Sequence, residues 1–473
     1  MAEKNMHIKP HCLVLSYPGQ GHINPMIQFS KLLVHEGVKV TLSTTHSYSK
    51  NLQNVPPSIS IESISDGFDN GGFEEAGSYK AYLGLFWQVG PQTLCDLVEK
   101  LAKLGYPVDC IIYDSMFPWA LDVAKKFGVV GVSYFTQHMA VNSIYYHVHL
   151  GKIMVPLIEN EIISLPSMPE LQVCDMPSFC LTCDQDEDLV VLHMLVGQFS
   201  NIDKADWVLC NSVYELDKEI ADWTTKIWPK FRSIGPNIPS AFLDKRVKDD
   251  EEYGATLFKC DEECMKWLDN KPKGSVVYVS FGSYFPLNEE QMREIAFALR
   301  EINNKNCNFL WVVRATEETK LPKEIEKESE KGLIVTWCSQ LKVLAHEAVG
   351  CFVTHCGWNS TLESLSLGVP IIAIPQWSDQ ATNAKYIVDV WKVGIRAPFH
   401  DDDDDEKKIV RREALKCCIK EMMESEKGKE IKKNAIELKD LVRRAVSDDG
   451  NGSSRENVME FVNALFASKS CKP

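Results

Sequence analysis

Residues 337–380 read WCSQLKVLAHEAVGCFVTHCGWNSTLESLSLGVPIIAIPQWSDQ. The apolar run CFVT (351–354) has the length and composition of a buried strand. It leads into His355-Cys356-Gly357-Trp358-Asn359-Ser360, and a helix is predicted to begin near Ser360. Gly368 and Pro370 stop that helix, and PIIAI (370–374) reads as the next buried strand. A strand, a tight turn into a helix and a second strand make a βαβ unit, the building block of a parallel sheet. Ligands meet such sheets at the carboxyl ends of the strands. Here that end carries a helix start whose backbone N–H groups and dipole suit a diphosphate. His355, Asn359 and Ser360 add donors from the same turn, and Glu363, one turn further, can accept from ribose hydroxyls. The strand that follows delivers Trp377, Asp379 and Gln380. An acid that only accepts, beside an amide that donates and accepts, suits a sugar.

The same alternation extends in both directions. CLVLS (12–16) reads as a strand and is followed by a Gly-rich turn from Pro18 to His22. Asn24 has the character of an N-cap with Pro25 at the first helical position, which predicts a helix over 25–36 ending at Gly37. Further strands are predicted at 38–44, 59–63, 108–113, 129–134 and 207–210. The stretch 233–260, with Pro236, Pro239 and the charged run Lys245–Glu252, reads as an exposed linker. The pattern then restarts with SVVYVSF (275–281), a Gly282-Ser283 turn, a helix over 288–302 and strands at 309–313 and 333–336. Charged helical sequence follows residue 410 and ends in an amphipathic helix over 455–467, with Val458, Phe461, Val462 and Leu465 on one side. This is an α/β chain of two Rossmann-like, parallel-sheet halves: residues 1–244, residues 245–455, and a terminal helix (456–473) returning to the first half.

Composition narrows the function. Lys and Arg total 51 against 66 Asp and Glu, so 51 − 66 = −15. That excludes a nucleic acid or an anionic membrane surface as partner, since both need a basic face, but not a local site for one small anion. No window of about 18 uninterrupted apolar residues is present, so no membrane span is expected. The start, MAEKNMHIKPHCLVLS, carries charges and a proline where a secretory signal needs an apolar stretch. Most of the 16 cysteines sit singly in apolar runs, as Cys110, Cys210, Cys351 and Cys356 do, and read as small core hydrophobes. The one CxxC, Cys180 to Cys183, lacks a second pair, so no metal is expected there. Many unpaired thiols fit the reducing cytosol, and a cytoplasmic location is expected. The acidic run Asp401–Glu406 reads as a solvated loop.

Three other strand ends carry chemistry. Gly19-Gln20-Gly21-His22 follows the first strand; its glycines let a ligand approach the backbone, but it is not the GxGxxG of dinucleotide sites. A lone histidine is more often structural, whereas this position also suits a catalytic base. Asp114 follows VDCIIY (108–113) and reads either as a turn residue or as a carboxylate holding an imidazole in one tautomer. His22 and Asp114 can meet only if the first and fourth strand-like segments are neighbours. Ser280-Phe281-Gly282-Ser283 is a small turn with a hydroxyl that can approach a phosphate.

The 44-residue block at 337–380 resembles the signature box of the plant secondary-product UDP-glycosyltransferases of family 1, which have the two-domain GT-B fold. The resemblance extends over essentially the whole chain. The loops SYPGQGHINP, YDSMFPWALDVA and FTQHMAVNSIYYH and the Leu-Asp-Lys-Arg linker look most like the subgroup with salicylate, auxin and terpenoid glucosyltransferases. The resemblance implies two Rossmann-like domains facing a central cleft, the first binding the acceptor and the second UDP-glucose. It implies that Trp337 stacks on uracil, with Cys338 and Gln340 contacting uracil and ribose. Cys338 stands where many members have alanine, a change a backbone contact survives. Glu363 would hold the ribose, and His355, Asn359, Ser360 and Ser283 the diphosphate. Trp358, Asp379 and Gln380 would hold the sugar, with Thr136 reaching it from the first domain. Gln380 favours glucose, since histidine there accompanies galactose in this family. His22, beside Gly21, would be the general base and Asp114 its orienting partner. UDP-glucose would be the co-substrate, with no resident cofactor and no metal, and the protein a monomer.

The expected mechanism is inversion: His22 takes the proton of an acceptor hydroxyl, which attacks the anomeric carbon opposite UDP and gives a β-glucoside. Leaving-group charge on the diphosphate is met by the helix start. Asp184-Gln185-Asp186 has the spacing of a metal-binding Asp-x-Asp but no strand before it, and reads as surface. Candidates for an apolar acceptor pocket are Tyr17, Trp87, Phe117, Trp119, His138, Met139, Phe179 and Met194, with Phe86, Met116, Phe135, Tyr145 and Phe285. They suit small lipophilic acceptors such as phenols, terpenoids or steroids. A carboxylic acid acceptor, giving a glucose ester, would need the base less. A nucleotide-sugar epimerase on the same scaffold would need neither the aromatic acceptor side nor the box. A non-catalytic binder would need neither His22 nor Asp114.

Overall fold

A computed structural model of the chain describes residues 9–52, 54–158, 161–181, 186–255, 263–284, 286–302, 307–325, 329–399, 409–448 and 452–470. Cys183, Asp184, Gln185, Phe285 and the run Asp401–Glu406 lie outside the described residues. Two compact units are formed. One comprises Met1–Val173, Phe179–Leu257 and Arg444–Pro473; the other comprises Cys174–Ser178 and Phe258–Arg443.

The first unit contains strands β1 (His11–Leu15), β2 (Lys39–Thr45), β3 (Ile59–Ile64), β4 (Cys110–Asp114) and β5 (Val130–Phe135). A short antiparallel pair follows, β6 (Ile162–Ile163) and β7 (Leu171–Gln172), then β8 (Trp207–Cys210) and β9 (Phe231–Ser233). Seven of these form one sheet in the order β3-β2-β1-β4-β5-β8-β9, parallel throughout. The central strands are buried along their whole length, which is why they read as continuous apolar runs. The order reverses direction between β1 and β4, the point at which open α/β sheets bind ligands. There Leu15 is in register with Tyr113.

Two expectations are corrected here. The helix after β1 spans Gln20–His35, beginning five residues before the predicted Pro25. Gly19, with an extended backbone, is its N-cap, and its carbonyl accepts from the N–H groups of His22 and Ile23. Asn24 and Pro25 are buried inside the helix, so Asn24 is not its cap. A proline this near the N-terminus gives up one helical bond without ending the helix. The stretch from 233 is also not simply an exposed linker. Residues 233–240 are buried, and Asp250 accepts from Lys31 Nζ at 2.8 Å and from Ser240 N at 2.7 Å. Burial lowers the Lys31 pKa against the pull of Asp250, so the cost of desolvating the ammonium outweighs the attraction of its partner.

The helix Ser453–Ser470 supplies Val458, Phe461, Val462 and Leu465 to the core of the first unit. The Phe461 ring lies 6.3 Å from Phe29 and 5.6 Å from Trp207. The second unit carries β10 (Val276–Ser280), β11 (Asn308–Val312), β12 (Gly332–Val335), β13 (Val349–Thr354), β14 (Ile371–Ala373) and β15 (Gly394–Arg396). They run parallel in the order β12-β11-β10-β13-β14-β15. This sheet reverses between β10 and β13, where Ser280 is in register with Thr354. Cys110, Cys210, Cys351 and Cys356 are buried free thiols. Among the described residues no helix is long and apolar enough to cross a membrane.

Candidate active site

The reversal in the first sheet places two groups together. Asp114 ends β4 with no exposure, and its Oδ2 lies 2.7 Å from His22 Nδ1, in the first turn of the helix after β1. Asp114 Oδ1 accepts from the Met116 N–H at 3.1 Å, which fixes the carboxylate. Thr136, just beyond β5, brings its Oγ1 to 3.1 Å from the same imidazole nitrogen. A carboxylate accepts, so Nδ1 carries the proton and Nε2 keeps its lone pair. The His22 side chain is 25% exposed, so a substrate proton can reach it while Asp114 stays dry. Gly21 is exposed beside it.

An aromatic wall grows from the base. The Tyr17 ring lies 5.1 Å from His22 and 5.5 Å from Phe117; Phe117 lies 5.2 Å from Trp119 and 4.9 Å from Phe86. Of the expected pocket residues, the structure thus assembles Tyr17, Phe86, Phe117 and Trp119. Trp87 is exposed on the helix Tyr79–Lys103, next to Phe86. Phe179 and Met194 are buried, and Met139 lines a small cavity with Phe135, Tyr146 and Trp228. His138 is wholly buried with its Nε2 2.9 Å from Asp217 Oδ2, which ties it into the core.

In the second unit, the reversal between β10 and β13 brings the turn after Ser280 to His355. The His355 ring is held between two glycines. A Cβ on Gly282, whose φ is +76°, would lie 2.9 Å from the ring, and one on Gly357 would lie 2.6 Å from it. Its Nδ1 lies 3.1 Å from Thr354 Oγ1. Burial, with a smaller contribution from the Arg314 charge, pushes its pKa down to about 4. His355 is therefore a neutral hydrogen-bonding group at physiological pH. Unfolded, it titrates near 6.5. Between these values the unfolded chain binds the extra proton, so the stability is present above 6.5 and is lost as pH falls towards 4. Thermal melts should show a smaller loss between about pH 7 and about pH 5 in His355→Asn than in the parent; equal losses would contradict the assignment.

The helix Trp358–Leu367 starts directly after Gly357 and offers its first N–H groups at this turn. Gln340 ties the box together. Its Nε2 donates to Ser360 Oγ at 2.9 Å and to Glu363 Oε2 at 2.8 Å, while its Oε1 accepts from Tyr278 at 3.3 Å. Tyr278 also lies 3.5 Å from Cys338 Sγ. Trp337 and Asn359 are half-buried; Trp358 is buried, 6.3 Å from Trp391. At the far end of the box, Gln380 Oε1 accepts from the N–H groups of Gln376 and Trp377 at 2.9 and 3.0 Å, which leaves the amide nitrogen to donate elsewhere. Asn383 Nδ2 donates to Asp379 Oδ2 at 2.7 Å and to the Cys356 carbonyl at 2.9 Å, linking Asp379 to a residue held at φ +67°.

Tyr278 and Asn383 were not singled out by the sequence, nor was a strap at Cys174–Ser178. Ser178 Oγ accepts from Ser378 N at 2.8 Å, its own N–H donates to the Ser378 carbonyl at 2.9 Å, and Ser378 sits at φ +58° just before Asp379. Asp175 anchors the strap, accepting from Arg396 at 2.8 Å, and its carbonyl accepts from Thr382 Oγ1 at 2.7 Å. No motif marks these residues, which lie some two hundred positions from their partners.

A sequence model of the family described as "UDP-glucoronosyl and UDP-glucosyl transferase" matches residues 260–441. Mogroside I-E synthase of Siraitia grosvenorii is 45% identical over 460 residues, covering 96% of this chain and 98% of its own length. Flavonol 7-O-beta-glucosyltransferase UGT74F1 of Arabidopsis thaliana is 43% identical over 466 residues, covering 97% of this chain and 99% of its own. Among solved structures, Os79 of O. sativa in complex with UDP has a TM-score of 0.87 at 34% identity, over 96% of this chain and 100% of that one. The chain belongs to the plant family 1 UDP-glycosyltransferases, with the GT-B fold. It is a transferase that moves a sugar from a UDP-sugar to a small molecule.

Proposed function

We propose that the enzyme is an inverting, UDP-glucose-dependent glucosyltransferase that forms β-O-glucosides on hydroxyls of small lipophilic acceptors. The observation that carries this reading is the 2.7 Å contact between His22 Nδ1 and the fully buried Asp114. A neutral imidazole with Nδ1 committed to a carboxylate is a base at Nε2, and its cation is stabilised once the proton arrives. The acceptor oxygen then attacks the anomeric carbon opposite UDP, so the α-linked donor yields a β-glucoside. Charge developing on the departing diphosphate falls to the start of the helix Trp358–Leu367, to neutral His355 and to the hydroxyls of Ser360 and Ser283. The reaction as written uses no metal. Glu363 and Gln340 hold the ribose, and Trp337 and Cys338 the uracil. Trp358, Asp379 and Gln380 hold glucose, with the Gln380 amide as donor; Thr136 shares the His22 nitrogen. A relative named as a flavonol 7-O-beta-glucosyltransferase supports hydroxyl acceptors. The Tyr17–Phe117–Trp119 wall, with Phe117 buried and Tyr17 and Trp119 partly exposed, suits an apolar, ring-containing molecule. The protein works as a cytoplasmic monomer with residues 1–244 binding acceptor and 245–455 binding donor.

Incubation with UDP-glucose and a flavonol, followed by mass detection, tests the reading: a monoglucoside is expected, and UDP release without glycoside would count against transfer. Asp114→Asn is a sharper probe of the base. An amide can donate to Nδ1 and favour the wrong tautomer, so turnover with hydroxyl acceptors should fall by a factor on the order of 10²–10⁴. UDP affinity, measured by calorimetry, should stay as in the parent; an unchanged turnover would show that Asp114 does not orient the base.

A further inference from the structure

One ion-pair network in the second unit has no role in the transfer chemistry described above. It is built on the segment Ala315–Lys320, which follows β11 with Arg314 as its N-cap. Glu317 is buried and holds two cations. Its Oε2 accepts from Arg314 Nε and Nη2, each at 2.7 Å, and its Oε1 lies 3.3 Å from Lys320 Nζ. Each cation spends its remaining reach on a backbone carbonyl. Arg314 Nη1 donates to the Ser283 carbonyl at 2.7 Å, and Lys320 Nζ donates to the Leu287 carbonyl at 2.7 Å. One carboxylate thus fixes two arms, one gripping Ser283, directly after Gly282, and the other gripping Leu287. Gly282 is also the residue packed within 2.9 Å of the His355 ring, measured from where a Cβ would sit.

We propose that Arg314, Glu317 and Lys320 form a positioning clamp that presets the Gly282–Ser283 turn and, through it, His355 for the donor diphosphate. The proposal rests on the reading of Ser283 and His355 as diphosphate contacts. None of the three clamp side chains needs to touch the donor. The geometry separates positioning from simple attraction. Two cations and one carboxylate leave the clamp with a net charge of one, which by itself favours an anion nearby. If charge were the whole effect, removing the carboxylate charge would tighten UDP binding. If the grip on the turn is what matters, the same change frees both arms and weakens it.

The test uses the full-length enzyme with UDP as the titrated ligand, and steady-state kinetics with UDP-glucose. Glu317→Gln should raise the UDP dissociation constant and the UDP-glucose KM on the order of tenfold, the loss expected for charge-assisted hydrogen bonds. The acceptor KM should not move. Arg314→Lys keeps the charge but loses the fork that reaches both Glu317 and Ser283, and should show a similar loss. Lys320→Arg, which keeps charge and reach, should bind UDP as the parent does, while Lys320→Met should bind it more weakly. Tighter or unchanged UDP binding in Glu317→Gln, or unchanged binding in Arg314→Lys, overturns the clamp. His355→Asn serves as the separate control. If it binds UDP as the parent does, the donor-site reading itself has failed. If it weakens binding while the clamp variants do not, only the clamp has failed.

Discussion

His22→Ala is expected to lower transfer to hydroxyl acceptors by a factor on the order of 10²–10⁴, the usual contribution of a positioned general base. The UDP dissociation constant should be unchanged. The reason is local. His22 projects from the first turn of its helix against Asp114 and Thr136, all in the first unit, whereas the groups assigned to uracil, ribose and diphosphate belong to the second. The side chain is also partly exposed, so its loss leaves no large cavity, and melting should shift little. Calorimetry with UDP and initial rates with a flavonol separate the two effects. Loss of UDP binding along with activity would mean that His22 belongs to the donor site. A carboxylic acid acceptor adds a useful contrast. It arrives already ionised, so ester formation should suffer far less in the same variant.

The second large effect is expected at a residue without a side chain. Gly282→Ala faces two penalties. At φ +76° an L-residue is disfavoured by roughly 1–2 kcal/mol. Its Cβ would also lie 2.9 Å from the His355 ring, so the ring or the turn must move. Either shift disturbs the groups assigned to the diphosphate, and UDP binding should weaken by about tenfold or more. Gly357→Ala separates the two penalties. Its φ is −58°, acceptable to alanine, yet a Cβ there would lie 2.6 Å from the same ring. If contact with His355 is what matters, both variants lose UDP affinity. If only Gly282→Ala does, backbone strain rather than the ring position governs the turn.

The strands were legible because they are buried on both faces and therefore apolar without interruption, as in CLVLS and SVVYVSF. β9 and β15, at three residues each, are too short for any periodicity to show. The start of the first long helix was misplaced because Asn24 and Pro25 imitate a cap and a first-turn proline, while the true cap is Gly19, whose backbone alone turns the chain. The residues 233–240 contain Pro236 and Pro239 and look like linker, yet they pack against the first unit because β9 and Asp250 hold their ends.

The candidate site was legible in its parts and not in its joints. His22 and Asp114 each stand at a strand end, but their contact depends on β1 lying beside β4, a fact of sheet order rather than of sequence. The box at 337–380 announces itself because its residues are close in sequence as well as in space. Asn383 acts on the box from the helix that begins at Gln380, the Asp175–Ser178 strap reaches Ser378 from a distant segment, and the Arg314–Glu317–Lys320 network holds Ser283 from another. Each is an ordinary polar residue until its partner is known. His138 shows the converse: it follows the same strand end as Thr136, yet Asp217 takes it into the core.

The central claim is that glucose passes from UDP to an acceptor hydroxyl by a single displacement with His22 as base. The most direct measurement is the proton NMR spectrum of the glycoside formed from UDP-glucose and a flavonol, read at the anomeric position. A β-glucoside formed by the parent and absent with His22→Ala is the predicted result. An α-glucoside, or the same product at the same rate from His22→Ala, would contradict it.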